Sequence, residues 1–363
     1  MAESASDHPA SAAGGGLQGK LPWLDRLLPV WILLAMAAGL LLGRMMPGLQ
    51  VMLAAVQVGH TSLPIALGLL LMMYPVLAKV RYGELGHSAR DRRLLTLTLG
   101  LTWGLGPLLM FCLAWLFLPD QPAFRTGLIL IGIAPCIAMV LIWIDLAQGD
   151  REAAALLVAI NSIVQVLVYA LLSSFYLKVL PGWLGLDSQT VSFSMGEVAR
   201  AVVIFLGVPL LAGGLTRWIG VAAKGVRWYE RRFLPRLSPW ALVGLLFTVV
   251  VMFALQGEAI TSDPAQVLRV ALPLLIYFVV MWCLAFWIGR RCGLGYPRTT
   301  ALAFTAAGNN FELAIAVSIS VWGVTSQQAL AGVIGPLIEV PVLVSLVYVC
   351  QALKPGFANQ SCP

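Results

Sequence analysis

This chain has little charge and almost no histidine. Only 11% of its 363 residues are Asp, Glu, Lys or Arg, and it contains three histidines. An ordinary soluble protein carries about 25% charged residues. Hydrophobic residues make up 60% of the sequence, and the mean hydropathy is +0.90. This composition excludes a soluble globular protein and indicates a polytopic membrane protein.

Motifs for nucleotide hydrolysis, metal binding and covalent catalysis are missing from the sequence. It has no GxxxxGK[ST] phosphate-binding loop, no CxxC pair and no cysteine–histidine cluster with ligand spacing. We therefore predict a protein that is not an enzyme, uses no ATP on this chain and needs no metal or other cofactor. The pI of about 9.3 does not indicate a nucleic-acid partner, because the basic residues fall between apolar runs.

Ten apolar runs are long enough to cross a bilayer, which takes about 20 residues in a helix. The predicted fold class is therefore an all-α polytopic membrane protein with ten transmembrane helices. Residues 1–20, rich in Ala, Ser and Gly, are expected to form a disordered cytoplasmic tail. The predicted spans are 24–44, 61–79, 94–118, 124–147, 152–178, 198–219, 239–257, 268–289, 299–322 and 326–352.

The basic residues are distributed unevenly around these spans. Eighteen of the 23 Lys and Arg residues fall on the side that holds both termini. Loops rich in Lys and Arg stay in the cytoplasm. We therefore predict a multi-pass protein of the cell (plasma or inner) membrane with both termini in the cytoplasm. The five basic residues on the opposite side are Arg44, Arg125, Lys178, Arg200 and Arg269.

A long basic loop from Arg217 to Arg236 is expected to separate five spans from five. An odd number of spans per half places the halves in opposite orientations, which is the inverted repeat of many secondary transporters. We assign residues 21–222 to the first five-helix repeat and 223–353 to the second part of the carrier. The sixth span, at 198–219, opens the second repeat, and residues 354–363 form a cytoplasmic C-terminal tail.

Helix-breaking residues occur at corresponding places in the two halves. The fourth span contains Ala134-Pro135-Cys136, and the ninth contains Gly308-Asn309-Asn310. Interrupted backbone at membrane depth is tolerated only where it is buried in protein or lines a cavity. Paired interruptions in two repeats point to the binding site of a transporter. We therefore predict helix breaks at Pro135 and Gly308, beside a site for a small solute.

Two acidic residues lie at membrane depth, Glu312 in the ninth span and Glu339 in the tenth. An acidic residue at the centre of a span costs ~2.5–3.5 kcal/mol on insertion scales, so each requires an explanation. One explanation is proton or cation handling, and the other is a protonated carboxyl that holds helices together. We assign proton coupling to both residues, although the prolines beside Glu339 equally suit a structural role.

Cys136 directly follows Pro135 near the middle of the fourth span. A buried cysteine is commonly a small apolar residue, but a thiol at a helix break is also placed to bind a soft, thiophilic solute. The amides of Asn309 and Asn310 either orient a solute or satisfy broken backbone. The predicted substrate-binding residues are Cys136, Asn309, Asn310 and Glu312.

Four stretches resemble the ACR3-type arsenite efflux permeases, a family that belongs with carriers like the bile acid/sodium symporters. The resemblance covers essentially the whole chain after the tail, and its ninth-span motif is quite specific. The stretches are LPIALGLLLMMYP at 63–75, CIAMV at 136–140 followed by Trp143 and Asp145-Leu146-Ala147, FTAAGNNFELAIAV at 304–317 and GPLIEVPV at 335–342.

The resemblance implies ten helices in two inverted five-helix repeats, with broken, crossing helices 4 and 9. It also implies a cysteine and a ninth-span glutamate that are essential, and these match Cys136 and Glu312. The sequence departs from the family at two positions, where Pro135 replaces an Arg and Ile144 replaces an Asn. The missing Arg removes a positive charge beside Cys136.

The resulting prediction is a secondary active transporter that exports arsenite, and in some members antimonite, in exchange for protons. This activity gives arsenical resistance, and its partners are the metalloid, protons and the lipid bilayer. Two alternatives stay open: a sodium-coupled symporter of a small organic anion, and a divergent carrier of another arsenic species. A membrane sensor that binds solute without moving it is disfavoured, because the spans leave no room for a sizeable soluble domain.

Overall fold

A computed structural model describes residues 27–46, 48, 57–58, 61–80, 92–186 and 194–360, and all structural statements concern these ranges. The predicted tail at 1–20 lies outside them. The described helices, numbered in chain order, are α1 Leu28–Met45, α2 Leu63–Ala78, α3 Arg92–Phe117, α4 Pro122–Gly132, α5 Val140–Leu146, α6 Arg151–Trp183, α7 Met195–Lys224, α8 Val226–Ser262, α9 Pro264–Arg291, α10 Tyr296–Ala307, α11 Phe311–Trp322 and α12 Gln327–Leu353.

Two short elements accompany the helices. Strands β1 Gln57–Val58 and β2 Thr61–Ser62 pair in an antiparallel ladder just before α2. A 3₁₀ turn, Lys354–Gln360, follows α12. The rest of the described chain is helix and short connections.

Seven of the described helices are long and apolar enough to cross a membrane. Three shorter apolar helices, α2, α4 and α11, lie in the predicted second, fourth and ninth spans. The prediction of an all-helical polytopic membrane protein is confirmed. The count of ten crossings stays a prediction, because the second, fourth and ninth spans do not each form one full-length helix.

The predicted basic loop from Arg217 to Arg236 is wrong. Helix α7 continues to Lys224 and α8 begins at Val226, so Gly225 alone separates them, with φ at +81°. Helical structure here is held by tertiary contacts, which include the hydrogen bond from the Tyr229 hydroxyl to the Ala78 carbonyl at 3.0 Å. Charge indicated a loop, whereas these charges lie on helix ends that extend beyond the apolar segments.

The helices form two packed groups. In the first group, α8 packs along α1 and α2, and α7 packs against α2. Glycines bring these backbones together, since a Cβ added at Gly39, Gly213 or Gly244 would lie within 2.8 Å of a neighbouring backbone atom. Small residues at helix contacts are the usual means of tight packing in membranes, where the hydrophobic effect does not drive the association of helices.

The second group contains the interrupted helices. Helix α9 packs against α10 and α12, α4 packs against α3 and α12, and α11 packs against α12. Every residue from 299 to 319 and from 124 to 137 is buried. The breaks between α4 and α5 and between α10 and α11 therefore lie inside protein, where interrupted backbone is tolerated.

Two arginines fix the turn between α3 and α4. The Arg125 guanidinium is buried and donates to the carbonyls of Leu118 and Pro119, at 3.3 and 2.8 Å. Arg269, on α9, donates to the Asp120 carboxylate and so holds the pKa of that carboxyl below its usual value. Both cations therefore stabilise the entry to α4 and lie outside the break that follows it.

Gly335→Ala is expected to destabilise the protein. A Cβ at this position of α12 would lie 1.8 Å from a ring carbon of Phe311, the first residue of α11. Overpacking of this kind costs about 1–3 kcal/mol, which should appear as a lower thermal unfolding midpoint in detergent. Gly182→Ala is the control, because a Cβ there meets nothing within 4 Å. Equal midpoints for the two variants would contradict the close packing of α11 on α12.

Candidate functional site

The two unwound segments pair with each other at the centre of the second helix group. The Cys136 amide donates to the Gly308 carbonyl at 2.9 Å, and the Asn310 amide donates to the Ala134 carbonyl at 2.6 Å. Pro135 and Asn309 face each other between these bonds as an antiparallel bridge. Pro135 and Gly308 thus lie in the non-helical segments that follow α4 and α10, and these two segments cross each other.

Pro135 occupies a position in the bridge that needs no amide hydrogen. In an antiparallel pair, residues alternate between those that exchange hydrogen bonds and those that do not. The bonds here come from residues 134, 136, 308 and 310, so the Pro135–Asn309 pair is of the second kind. Proline lacks an N–H, and at this position the bridge loses nothing by it. The departure from the family pattern at Pro135 is compatible with the fold.

The carbonyl groups freed at the end of α4 are satisfied by side chains from other elements. Asn309 Nδ2 donates to the Ile131 carbonyl at 2.8 Å, and the Tyr169 hydroxyl donates to the Leu130 carbonyl at 3.0 Å. Buried backbone polar groups require such partners. The amide donor of Asn309 therefore serves the broken backbone, which was one of its two predicted roles.

The oxygen of the Asn309 side chain is in a different situation. It is buried and forms no hydrogen bond of regular geometry with the described residues, although the Tyr277 hydroxyl lies beside the same side chain. An unpaired buried acceptor costs about 1–3 kcal/mol. Asn309 Oδ1 can therefore accept a hydrogen bond from a donor placed beside it.

Gln165, on α6, is a site residue that the sequence analysis missed. Its Nε2 donates to the Pro135 carbonyl at 3.4 Å, and its Oε1 accepts from Asn310 Nδ2 at 3.2 Å. One fully buried side chain thus links both unwound segments. The signal available in the sequence was the series Asn161, Gln165 and Tyr169, because polar residues four apart share one face of a helix.

Gln165 and Glu339 hold matching places in the two halves. Gln165 lies thirty residues after Pro135, and residue 339 lies thirty positions after Asn309. Pro135 and Asn309 are the two members of the bridge. Each half thus presents one buried polar side chain to its own bridge residue, an amide in the first half and a carboxyl in the second. This spacing supports the predicted inverted repeat.

Glu339 lies fully buried on α12, against the second unwound segment. Neither of its carboxyl oxygens has a hydrogen-bond partner among the described residues, and the Asn309 amide lies near it without hydrogen-bond geometry. A Cβ added at Gly308 would lie 3.6 Å from Glu339 Oε1 and 3.0 Å from the Cys136 Cβ. The absence of a side chain at Gly308 therefore lets the thiol residue and the carboxyl approach one strand.

Glu312, Glu339 and Cys136 form one electrostatic group. The thiol lies in the field of both carboxyl groups, and the two carboxyl groups repel each other when both are charged. Among the described residues, the other buried ionic side chain is Arg125, at the far end of α4. The crossing is therefore acidic and carries no neutralising cation from the described chain.

Glu312 also faces a narrow cavity between the two helix groups. Its volume of about 20 Å³ is enough for one water molecule. Ile32 and Met252 line it from the first helix group, and Phe311 and Val333 from the second. Glu312 is the ionisable residue among its lining residues and is 7% exposed, against 0% for Glu339. Of the two carboxyl groups, Glu312 is therefore the one that borders this cavity.

The site residues named from the sequence fall into two sets. Cys136, Gly308, Asn309 and Glu339 lie together at the bridge, whereas Glu312 is the second residue of α11 and faces the cavity. Asn310 caps α11 by accepting from the Leu313 amide at 3.1 Å. Both sets lie around the same crossing of the two unwound segments.

Crossed broken helices buried in a polytopic membrane protein, with acidic groups at the crossing, are the architecture of a secondary transporter. Comparison with known proteins agrees with that class. The chain belongs to the sodium bile acid symporter family, which matches residues 66–263. The protein is therefore a membrane transporter and not an enzyme, as predicted.

Three relatives cover nearly the whole chain. The arsenical-resistance protein Acr3 of Corynebacterium glutamicum is 56% identical over 336 residues, which are 93% of this chain and 91% of the relative. An uncharacterized transporter of Synechocystis sp. is 33% identical over 352 residues, 92% and 90% of the two chains. The arsenical-resistance protein Acr3 of Alkaliphilus metalliredigens is 30% identical over 345 residues, 92% and 94%.

Gln165→Leu should destabilise the crossing. The change removes both hydrogen bonds of the Gln165 side chain. The Pro135 carbonyl and the side-chain amide nitrogen of Asn310 then lose the partner that Gln165 provides. We expect a loss of about 1–3 kcal/mol, measured as a lower thermal unfolding midpoint in detergent. Gln266→Leu, which breaks a glutamine pair with Gln121 in a less buried place, is the control. A loss no larger than in the control would show that Gln165 does not hold the segments together.

Proposed function

We propose that this protein exports trivalent arsenite from the cytoplasm in exchange for protons, with antimonite as a second substrate. It thereby gives arsenical resistance to the cell that carries it. The transporter lies in the cell membrane as a multi-pass protein with both termini in the cytoplasm, as the 18-to-5 distribution of basic residues indicates. Two relatives that are 56% and 30% identical and named for arsenical resistance support the substrate class.

The observation that carries the proposal is the meeting of Cys136, Glu339 and Glu312 at one buried crossing. Trivalent arsenic is a soft centre that favours sulfur ligands. Neutral arsenous acid also has hydroxyl groups, which can donate to a carboxylate or to Asn309 Oδ1. A thiol beside acceptor groups therefore matches both parts of this solute. The substrate-binding residues in this proposal are Cys136, Asn309, Asn310 and Glu312.

The charge of the crossing separates this proposal from sodium-coupled symport of an organic anion. The name of the family favours that rival. The described part of the crossing, however, has two carboxyl groups and no Lys or Arg to bind an anionic substrate. An anion brought to this site meets like charge in a dry interior, where repulsion is strong. A neutral solute and a proton are the better match.

Proton coupling is assigned to Glu312 and Glu339. Glu312 borders the cavity between the two helix groups. A relative movement of the groups would open it to one side of the membrane at a time. Glu339 lies against the bridge and repels a charged Glu312. Loss of a proton from one carboxyl group therefore disfavours loss from the other.

Cys136→Ser and Glu312→Gln are each expected to lower arsenite uptake into everted vesicles by about tenfold or more. Each change removes a group that contacts the solute, and one lost interaction with a buried polar group is worth about 1–3 kcal/mol. The measurement is the initial rate at equal amounts of protein in the membrane. Everted vesicles expose the cytoplasmic face, so export appears as uptake.

Matched controls exist for both changes. Cys283→Ser alters an exposed cysteine on α9, and Glu258→Gln alters an exposed glutamate on α8. Both should transport at the wild-type rate. A wild-type rate of arsenite uptake in Cys136→Ser would contradict the proposed role of the thiol and show that Cys136 is a packing residue.

The coupling ion can be tested in the same vesicles. A proton gradient, acidic inside, should drive arsenite uptake, whereas a sodium gradient without a pH difference should not. In Glu339→Gln the response to the proton gradient should fall several-fold, because one of two protonatable groups is gone. Uptake that follows sodium, with no response to pH, would favour the symporter. Binding of arsenite without uptake under either gradient would indicate a sensor.

Pro135→Arg restores the family pattern and should raise the rate of arsenite uptake. The bridge tolerates the change, because position 135 exchanges no hydrogen bond across it. The added cation would lie beside Cys136 and favour its thiolate form. Pro135→Ala is the control, since it restores the N–H without the charge. A fall in rate for the Arg variant at unchanged stability would mean that the proline belongs to a distinct working site.

A further inference from the structure

A second, larger cavity lies away from the crossing, where the end of α9, the turn after it and the end of α12 meet. Its volume is about 830 Å³, within the range of small-molecule sites. The mechanism proposed above does not use it. Its lining residues are Arg290, Arg291, Gly293, Leu294, Gly295, Tyr296, Gln351, Lys354, Pro355 and Phe357. We call it the basic pocket.

Three cations and no carboxylate of the described residues line the basic pocket. Arg290 donates to the Gly356 carbonyl at 3.3 Å, and Lys354 donates to Gln148 Oε1 at 2.6 Å. The Arg291 guanidinium lies 5.2 Å from the ring of Trp287. None of the three forms an ion pair with an acidic side chain of the described chain. A concave surface with three positive charges that no described acidic side chain neutralises concentrates anions.

Aromatic rings hold two of these cations at the wall. The Arg290 guanidinium lies 5.4 Å from the Phe357 ring, and the Lys354 ammonium lies 5.6 Å from the Tyr296 ring. These contacts orient the side chains while leaving most of their donors unused. Guanidinium groups bind phosphate through two parallel hydrogen bonds, and lysine adds a point charge. The chemistry of the pocket is therefore that of a phosphate site.

The surroundings favour a lipid as the source of the phosphate. Trp287 on α9 is 54% exposed and Leu353 on α12 is 38% exposed, so apolar surface adjoins the cations. Tryptophan near a helix end is typical of the membrane interface. Basic pockets between helices at that level bind anionic lipid headgroups. We propose that the basic pocket binds the phosphate group of an anionic phospholipid.

The wall of the pocket is tied to one of the broken helices. The Tyr296 hydroxyl donates to the Ala147 carbonyl at 2.7 Å, and Gln351 donates to the Leu146 carbonyl at 2.7 Å. Leu146 is the last residue of α5, the second half of the first interrupted pair. A ligand that holds α9 and α12 together at this pocket also stabilises the contacts that α10 and α12 make with the end of α5. The bound lipid should therefore raise the thermal stability of the protein.

The test uses the purified full-length protein, stripped of lipid in detergent and titrated with phosphatidylglycerol or phosphatidylcholine of the same acyl chains. Bound lipid is counted by native mass spectrometry, and the unfolding midpoint is followed in parallel. The wild type should prefer phosphatidylglycerol. In the double variant Arg290→Gln with Lys354→Gln, that preference should fall about tenfold to thirtyfold. The change removes two cations, and each cation near the membrane surface strengthens the binding of anionic lipid several-fold.

The matched control is the double variant Arg231→Gln with Arg232→Gln. It removes two exposed cations from α8, outside the basic pocket. It should keep the wild-type preference. An equal loss in both double variants, or no loss in the pocket variant, would overturn the proposal. If the pocket variant is unstable, Arg291→Gln replaces it, because among the described residues that side chain contacts the Trp287 ring and donates no hydrogen bond.

Inorganic phosphate, with sulfate beside it, identifies the source of the anion. No displacement of phosphatidylglycerol by millimolar phosphate supports a lipid site. Displacement by phosphate in the wild type, together with a stabilisation that is absent from the pocket variant, assigns the pocket to a soluble phosphate and overturns the lipid source. Sulfate acting as strongly as phosphate would indicate attraction by charge alone and would overturn the phosphate site.

Discussion

The antiparallel bridge between the two unwound segments is the contact on which the rest of the site depends. Two backbone hydrogen bonds, from Cys136 to Gly308 and from Asn310 to Ala134, hold four helix ends at one point. Without them, each segment would leave amides and carbonyls unpaired in a dry interior, at several kcal/mol for each group. The bridge satisfies these backbone groups and fixes the geometry of both segments. It thereby also fixes the positions of the thiol and carboxyl groups.

The bridge also explains why the two halves of the protein are alike in backbone and unlike in chemistry. The same spacing of thirty residues leads from a bridge residue to a buried polar side chain in each half. The first half uses Gln165, which cannot change charge and which joins the segments. The second half uses Glu339, which can take up and release a proton and has no hydrogen-bond partner in the described chain. At this place one half thus carries an amide and the other an ionisable carboxyl group.

The sequence alone predicted the membrane class, both helix breaks and the residues that lie at them, because prolines, glycines and carboxyl groups in apolar runs are costly and therefore informative. It did not predict Gln165, whose role depends on partners 30 and 145 residues away. It also placed a loop between Arg217 and Arg236, where contacts such as Tyr229 to Ala78 keep the chain helical. Local composition therefore indicates which polar residues are buried at a free-energy cost. It does not indicate which distant residue will form a hydrogen bond with them.

The cavity beside Glu312 has a further consequence for the membrane as an electrical insulator. A continuous chain of water molecules through a carrier would let protons leak across the membrane and dissipate the ion gradients that the cell maintains. The space here holds about one water molecule and is walled by residues such as Ile32, Met252 and Phe311. One isolated water cannot relay protons from one face to the other. The tight apolar packing between the helix groups therefore helps to preserve the ion gradients across the membrane, whatever solute the protein carries.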